Sequence, residues 1–146
     1  MEGVVITELS VYSDERGWLV EIFRNDDTGY RPAMSYISMT RPGVARGPHE
    51  HMDQTDLFCF FGDFRLFLWD NRRGSVTYGK RMVIDFDGRP YVAIVPPGVV
   101  HAYKNVGSTE SLVLNLPDRL FKGEGRAFPV DEIRYENDPD SPYRTD

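Results

Sequence analysis

Residues 43 to 51 read GVARGPHEH and place His49 and His51 one residue apart; residues 94 to 105, IVPPGVVHAYKN, supply His101, the third and last histidine. Alternate side chains of a strand share a face, so His49 and His51 point together while Glu50 points away. Two imidazoles facing a core need a polar cavity or a metal beside them, whereas on a solvent face they need neither. Pro96, Pro97 and Gly98 force a turn after YVAIV and deliver His101 soon after it. The three rings are candidates either for metal ligation or for a metal-free pocket in which one imidazole is a base. An unperturbed pKa of about 6.5 suits a histidine to that second role.

The surrounding chain reads as all-β. Short apolar or alternating runs recur between turn residues: VVITEL, GWLVEIFR, MSYISMT, LFCFF, FRLFLWD, KRMVIDF, YVAIV and SLVLNL. MSYISMT puts Tyr36, Ser38 and Thr40 on one face and Ile37 and Met39 on the other. Gly62-Asp63 marks a tight turn, and Asp87-Gly88 between KRMVIDF and YVAIV predicts a hairpin. Only DEIRYEN, residues 131 to 137, offers one or two helical turns. About nine short strands in one domain imply a sandwich, jelly roll or barrel. The 146 residues are read as a single domain, with residues 137 to 146 a loosely held tail.

Lys plus Arg total 17 against 23 Asp plus Glu, a net charge of -6, which argues against nucleic-acid binding. Local arginines can still hold an anionic small ligand. No apolar run approaches the ~20 residues of a membrane span, so no membrane partner is expected. An acidic residue follows Met1 where a signal peptide would be basic, and the expected location is the cytoplasm. The single cysteine, Cys59, lies in an apolar run with nothing to stabilise a thiolate, and reads as a buried small hydrophobe.

HxH on one strand followed by P-x-G-x-x-H resembles the two-part signature of the cupins, small double-stranded β-helix (jelly-roll) barrels with the site inside. Four ordered blocks carry a closer resemblance: DERGWLVEIFR (14 to 24), GVARGPHEH (43 to 51), DNRRGSVTYGK (70 to 80) and IVPPGVVHAYKN (94 to 105). Together they resemble the dTDP-4-dehydrorhamnose 3,5-epimerase family. That likeness implies a metal-free, cofactor-free isomerase that removes a proton next to the ketone of a nucleotide-linked 4-keto sugar, in deoxysugar or polysaccharide biosynthesis. It also implies a homodimer. The sequence resembles the shorter dTDP-4-keto-6-deoxyhexose 3,4-ketoisomerases as well, through R-G-x-H-x-H.

Carried over residue by residue, the resemblance makes His49 the base, with His51 and Tyr36 in the proton shuttle. Arg16, Glu21, Arg46, Gln54, His101 and Tyr103 become substrate-binding, Arg16 and Glu21 often across a dimer interface; Arg72 is a weaker candidate. Asp56 stands where the family has a lysine, and Leu114 is aligned with its acid tyrosine. The aspartate that orients the family's base belongs to a C-terminal region that is mostly absent here. Two alternatives stay open: a metal-binding cupin using His49, His51, Asp56 and His101, a donor set that suits divalent transition metals, and a non-catalytic sugar-nucleotide binder.

Overall fold

The computed structural model describes residues 1–146. The strands are β1 (Val5–Glu8), β2 (Val11–Asp14), β3 (Gly17–Val20), β4 (Tyr36–Thr40), β5 (Ala45–Glu50), β6 (Asp56–Phe61), β7 (Asp63–Asp70), β8 (Arg81–Asp87), β9 (Tyr91–Val95), β10 (Val99–Asn105), β11 (Ser111–Asn115) and β12 (Ile133–Arg134). One helical turn, α1 (Asn25–Thr28), follows β3, and a 3₁₀ turn spans Glu124–Arg126. Two antiparallel five-stranded sheets, ordered β1-β9-β6-β11-β4 and β12-β5-β10-β7-β8, form the body; β2 and β3 make a separate hairpin.

The two faces of β6 show how the apolar run is used. Phe58 and Phe60 point between the sheets, where Phe60 meets Phe64, Phe86 and Tyr103 at ring separations of 4.8 to 5.4 Å. Leu57 and Cys59 face the other way, under Phe23, Tyr30 and Leu114. Both faces are covered, which is why LFCFF is continuous rather than alternating. Burial pushes the Cys59 thiol up to about 12, so it packs and does not react.

Gly62 joins β6 to β7 and carries the chain from one sheet to the other at φ 128°, where a Cβ would lie 2.2 Å from Ser111 Oγ. Only glycine fits that crossing. The Asp87-Gly88 turn also crosses between sheets, which corrects the hairpin expectation. β8 pairs with β7, whereas β9 pairs with β1 and β6. An Asp-Gly pair specifies a sharp reversal but not which neighbour receives the next strand.

GWLVEIFR extends only through Val20 before turning toward α1. The helical expectation for DEIRYEN is also corrected, because Ile133 and Arg134 form the edge strand β12, opposite Glu50 and His49 of β5. Pairing with an open sheet edge outweighs the weak helical preference of a short segment. In the expected tail, Ser141 is buried and Tyr143 packs against Trp69 and Tyr135 with ring centroids 5.5 and 4.7 Å apart. No helix is long and apolar enough to cross a membrane.

Candidate active site

Five strands bring polar side chains to one level between the sheets. His49 of β5 stands opposite His101 of β10, and His51 follows at the end of β5. Asp56 opens β6, Asn115 closes β11, and Tyr36 opens β4 opposite Asn115. The β5–β10 register slips between His101 and Tyr103, and Gly47 sits at that bulge with φ 80°. A Cβ on Gly47 would lie 2.6 Å from the His101 carbonyl and 3.1 Å from His49 Nδ1. The glycine of R-G-x-H therefore lets the two histidine strands close on each other.

His49, His51 and His101 hold ring nitrogens within 4.8 Å of one another. So close a cluster cannot carry three charges, and the proton settles where the acceptors are. Burial works against a charge on His51. Asp56 Oδ2, 3.0 Å from its Nε2, and the Asp131 carbonyl at Nδ1 outweigh that, lifting it to about 8. His49 is driven down to about 2 by burial and by the two neighbouring rings. Burial also lowers His101, whose Nδ1–H donates to the Val99 carbonyl at 3.0 Å. Beneath them Asp56 stays ionised despite burial, held by His51 and by the Asn115 amide at 2.9 Å. The three rings lie close enough to share a cation, which would have to displace the proton that His51 Nε2 directs at Asp56.

Above this layer opens a cavity of about 1380 Å³. His49, His51, Gln54, Tyr36, Tyr103 and Arg46 line it. The Gln54 amide donates to Asp56 at 3.0 Å. Tyr36 accepts from Asn115 Nδ2 at 2.7 Å, and burial raises its phenol to about 12, so its own O–H stays free to donate. Tyr103 shares a 3.2 Å hydrogen bond with Ser38.

Other expected residues lie elsewhere. His101 is fully buried one layer below the cavity wall, against His49 at 4.4 Å between centroids. Arg16 pairs with Asp14 on the exposed β2–β3 hairpin, and Glu21 stands near Arg24, both away from the cavity. Arg72 is tied to Asp70 and to the Glu2 carbonyl, which makes it a clamp on its own loop. Leu114 faces away, against Cys59's side of the sheet; the polar β11 residue that reaches the site is Asn115. Strand parity from Val113 would have found it.

The sequence reading missed Glu132, whose Oε1 lies 3.7 Å from His49 Nε2. It also missed Asp131, whose carboxylate accepts the backbone N–H groups of Met52, Asp53 and Gln54. Arg119, Lys122 and Arg126, each without a carboxylate partner within 4 Å, were missed too; all three line the cavity on the loop after β11. Nothing in the local pattern of DEIRYEN marks a site, because its role comes from pairing with β5.

Residues 1–127 match the family described as dTDP-4-dehydrorhamnose 3,5-epimerase. The chain belongs to that family. Members are dTDP-sugar epimerases or isomerases, so the enzyme class read from the four sequence blocks holds. The chain is 38% identical over 130 residues to the probable low-salt glycan biosynthesis epimerase of Haloferax volcanii, covering 85% of this chain and 83% of that one. It is 31% identical over 117 residues to the spore coat polysaccharide biosynthesis protein SpsL of Bacillus subtilis, 78% of each. In fold it is similar to the crystal structure of a dTDP sugar isomerase from Desulfovibrio desulfuricans, with a TM-score of 0.79 at 24% identity over 94% of this chain and 87% of that one. The double-sheet cupin-type barrel of the family is thus the fold of this chain.

Proposed function

We propose that this epimerase-family chain acts on a dTDP-4-keto-6-deoxyhexose, by metal-independent proton abstraction next to the ketone, in cytoplasmic deoxysugar and surface-polysaccharide biosynthesis. The observation that carries the reading is His49. It is the unprotonated imidazole at the cavity wall, with a carboxylate 3.7 Å from its Nε2. A buried imidazole alone holds a proton poorly. When His49 takes one from carbon, Glu132 and the negative enolate form its counter-charges, and a carboxylate at this range contributes on the order of 4 kcal/mol in a partly screened site.

Tyr36 is the donor on the β4 side of the cavity. Its phenol stays protonated at working pH and is oriented by Asn115. Arg46, Arg119, Lys122 and Arg126 supply positive charge for the diphosphate that the net charge of the chain does not. Incubation with the keto sugar in heavy water should place deuterium next to the ketone; a folded protein that binds dTDP yet exchanges nothing would be a silent binder. Tyr36→Phe should keep wash-in at the carbon facing His49 but slow net product formation about 100-fold. Parallel loss of wash-in and product would remove Tyr36 from the donor role.

Two copies complete the site. The β2–β3 hairpin exposes Val11, Tyr12, Trp18 and Leu19, and it carries Arg16 with no cavity of its own to face. A homodimer would cover this surface and bring Arg16 and Glu21 to the partner's cavity. Light scattering should find a dimer, and Trp18→Ser should shift it toward monomer with weakened dTDP binding. A wild-type monomer at micromolar concentration would end this part of the proposal.

A further inference from the structure

Glu50 lies between the two site histidines but on the opposite face of β5. It is 4% exposed, and no basic side chain approaches it within 4 Å. Its partners are two neutral donors: Tyr135 O–H at 2.5 Å and Asn71 Nδ2 at 2.9 Å, both to Oε1. A buried carboxylate held only by neutral groups costs stability that an apolar residue would not. What it provides here is direction.

Tyr135 closes a strap, residues 131 to 135, stitched along β5. At its start Asp131 accepts three backbone N–H groups from residues 52 to 54, and its carbonyl accepts from His51. In its middle Ile133 and Arg134 pair with Glu50 and His49. At its end the Tyr135 N–H donates to the Pro48 carbonyl at 2.9 Å, and the phenol reaches Glu50. Glu132 is carried between these anchors, with Arg134 holding its other oxygen at 2.8 Å. The strap lies beyond the stretch, residues 1–127, that matches the family.

The geometry points to Tyr135 and Glu50 as positioning residues: a clasp on the outer face of the sheet that sets where Glu132 stands relative to His49 inside. This rests on the proposed role of His49. The clasp works because Glu50 is rigidly linked, through one strand, to both neighbours of the chemistry. A shift of the strap by about an ångström would move the carboxylate away from the ring, and misplacement on that scale costs up to about 100-fold in rate.

The test compares Tyr135→Phe, Glu132→Gln and the double variant for deuterium wash-in at saturating keto sugar. Tyr135→Phe is expected to lower kcat about 10-fold with KM within about twofold, and the double variant to be no slower than Glu132→Gln. Multiplying losses, or an unchanged kcat in Tyr135→Phe, would overturn the clasp. Should Tyr135→Phe fail to fold, Glu50→Gln and Glu50→Ala replace it. The amide oxygen of glutamine can accept both bonds and should rescue the rate that alanine loses; equal rates in the two would refute the idea. Hydrogen exchange at the Tyr135 amide gives a readout independent of turnover. Its protection should fall about 10-fold in Tyr135→Phe even if wild type proves inactive on the sugar, an outcome that would sink the proposed function and not the strap.

Discussion

His49→Asn (H49N) is expected to abolish deuterium wash-in, with a loss on the order of 10³-fold or more, while dTDP affinity stays within about threefold. The asymmetry follows from where His49 sits. Its ring is at the cavity wall, 4.4 Å from His101 and 3.7 Å from Glu132, among groups that manage a proton rather than a phosphate. Asparagine is close in size and keeps a polar group against the same neighbours, so the barrel should not rearrange. It has no basic nitrogen, so the carbon acid loses its only near base. His51 cannot substitute. Its nitrogens face the Asp131 carbonyl and Asp56, and near neutral pH it already carries its proton. Wash-in by mass spectrometry and dTDP titration by calorimetry give both numbers. Undiminished exchange in H49N would remove the residue from the mechanism, and joint loss of exchange and dTDP binding would assign it to binding instead.

Strand parity is a local property, and the parts of this site that depend on it were legible. Tyr36, Ser38, His49 and His51 fall where alternation puts them, and Glu50 points away as expected. What alternation cannot supply is the partner across a gap. Asp87-Gly88 reads as a hairpin until the sheets are seen, because the reversal looks the same whether the next strand lies beside the last one or across the barrel. DEIRYEN carries no periodic signal, yet it becomes the strand that brings Glu132 to His49. In the sequence Asp56 is only a departure from the family's lysine, or one of four candidate metal ligands. In the fold it is instead the anion that decides which imidazole is protonated. A sequence shows that a carboxylate and three histidines exist; only their packing shows how one proton is shared among them.

That sharing makes Asp56→Ala the variant with the largest expected cost to stability, about 3–5 kcal/mol near pH 6. Asp56 is 1% exposed and collects the Gln54 amide, the Asn115 amide and His51, so its removal leaves donors stranded and a buried imidazolium without its anion. The pH dependence identifies the pair. His51 is raised in the fold to about 8 from an ordinary value of about 6.5, so its contribution is fully present below pH 6.5 and is lost as pH rises through 8. Asp56 is lowered, so its contribution is present above about pH 4 and is lost as pH falls through its folded value. The stability gap between wild type and Asp56→Ala should therefore be widest from about pH 4 to 6.5 and should narrow by at least about 2 kcal/mol by pH 9, because burial alone lowers His51 in the variant. His49 and His101, both kept neutral by burial, destabilise the fold below pH 6.5 through the protons their unfolded forms take up. Both rings are neutral in either protein from about pH 6.5 upward, so the difference between the urea unfolding curves at pH 6.5, 8 and 9 reports on the Asp56–His51 pair. A gap that stays constant across that range would mean Asp56 acts as a hydrogen-bond acceptor alone and does not place the proton on His51. His49 would then need another explanation for being the free base.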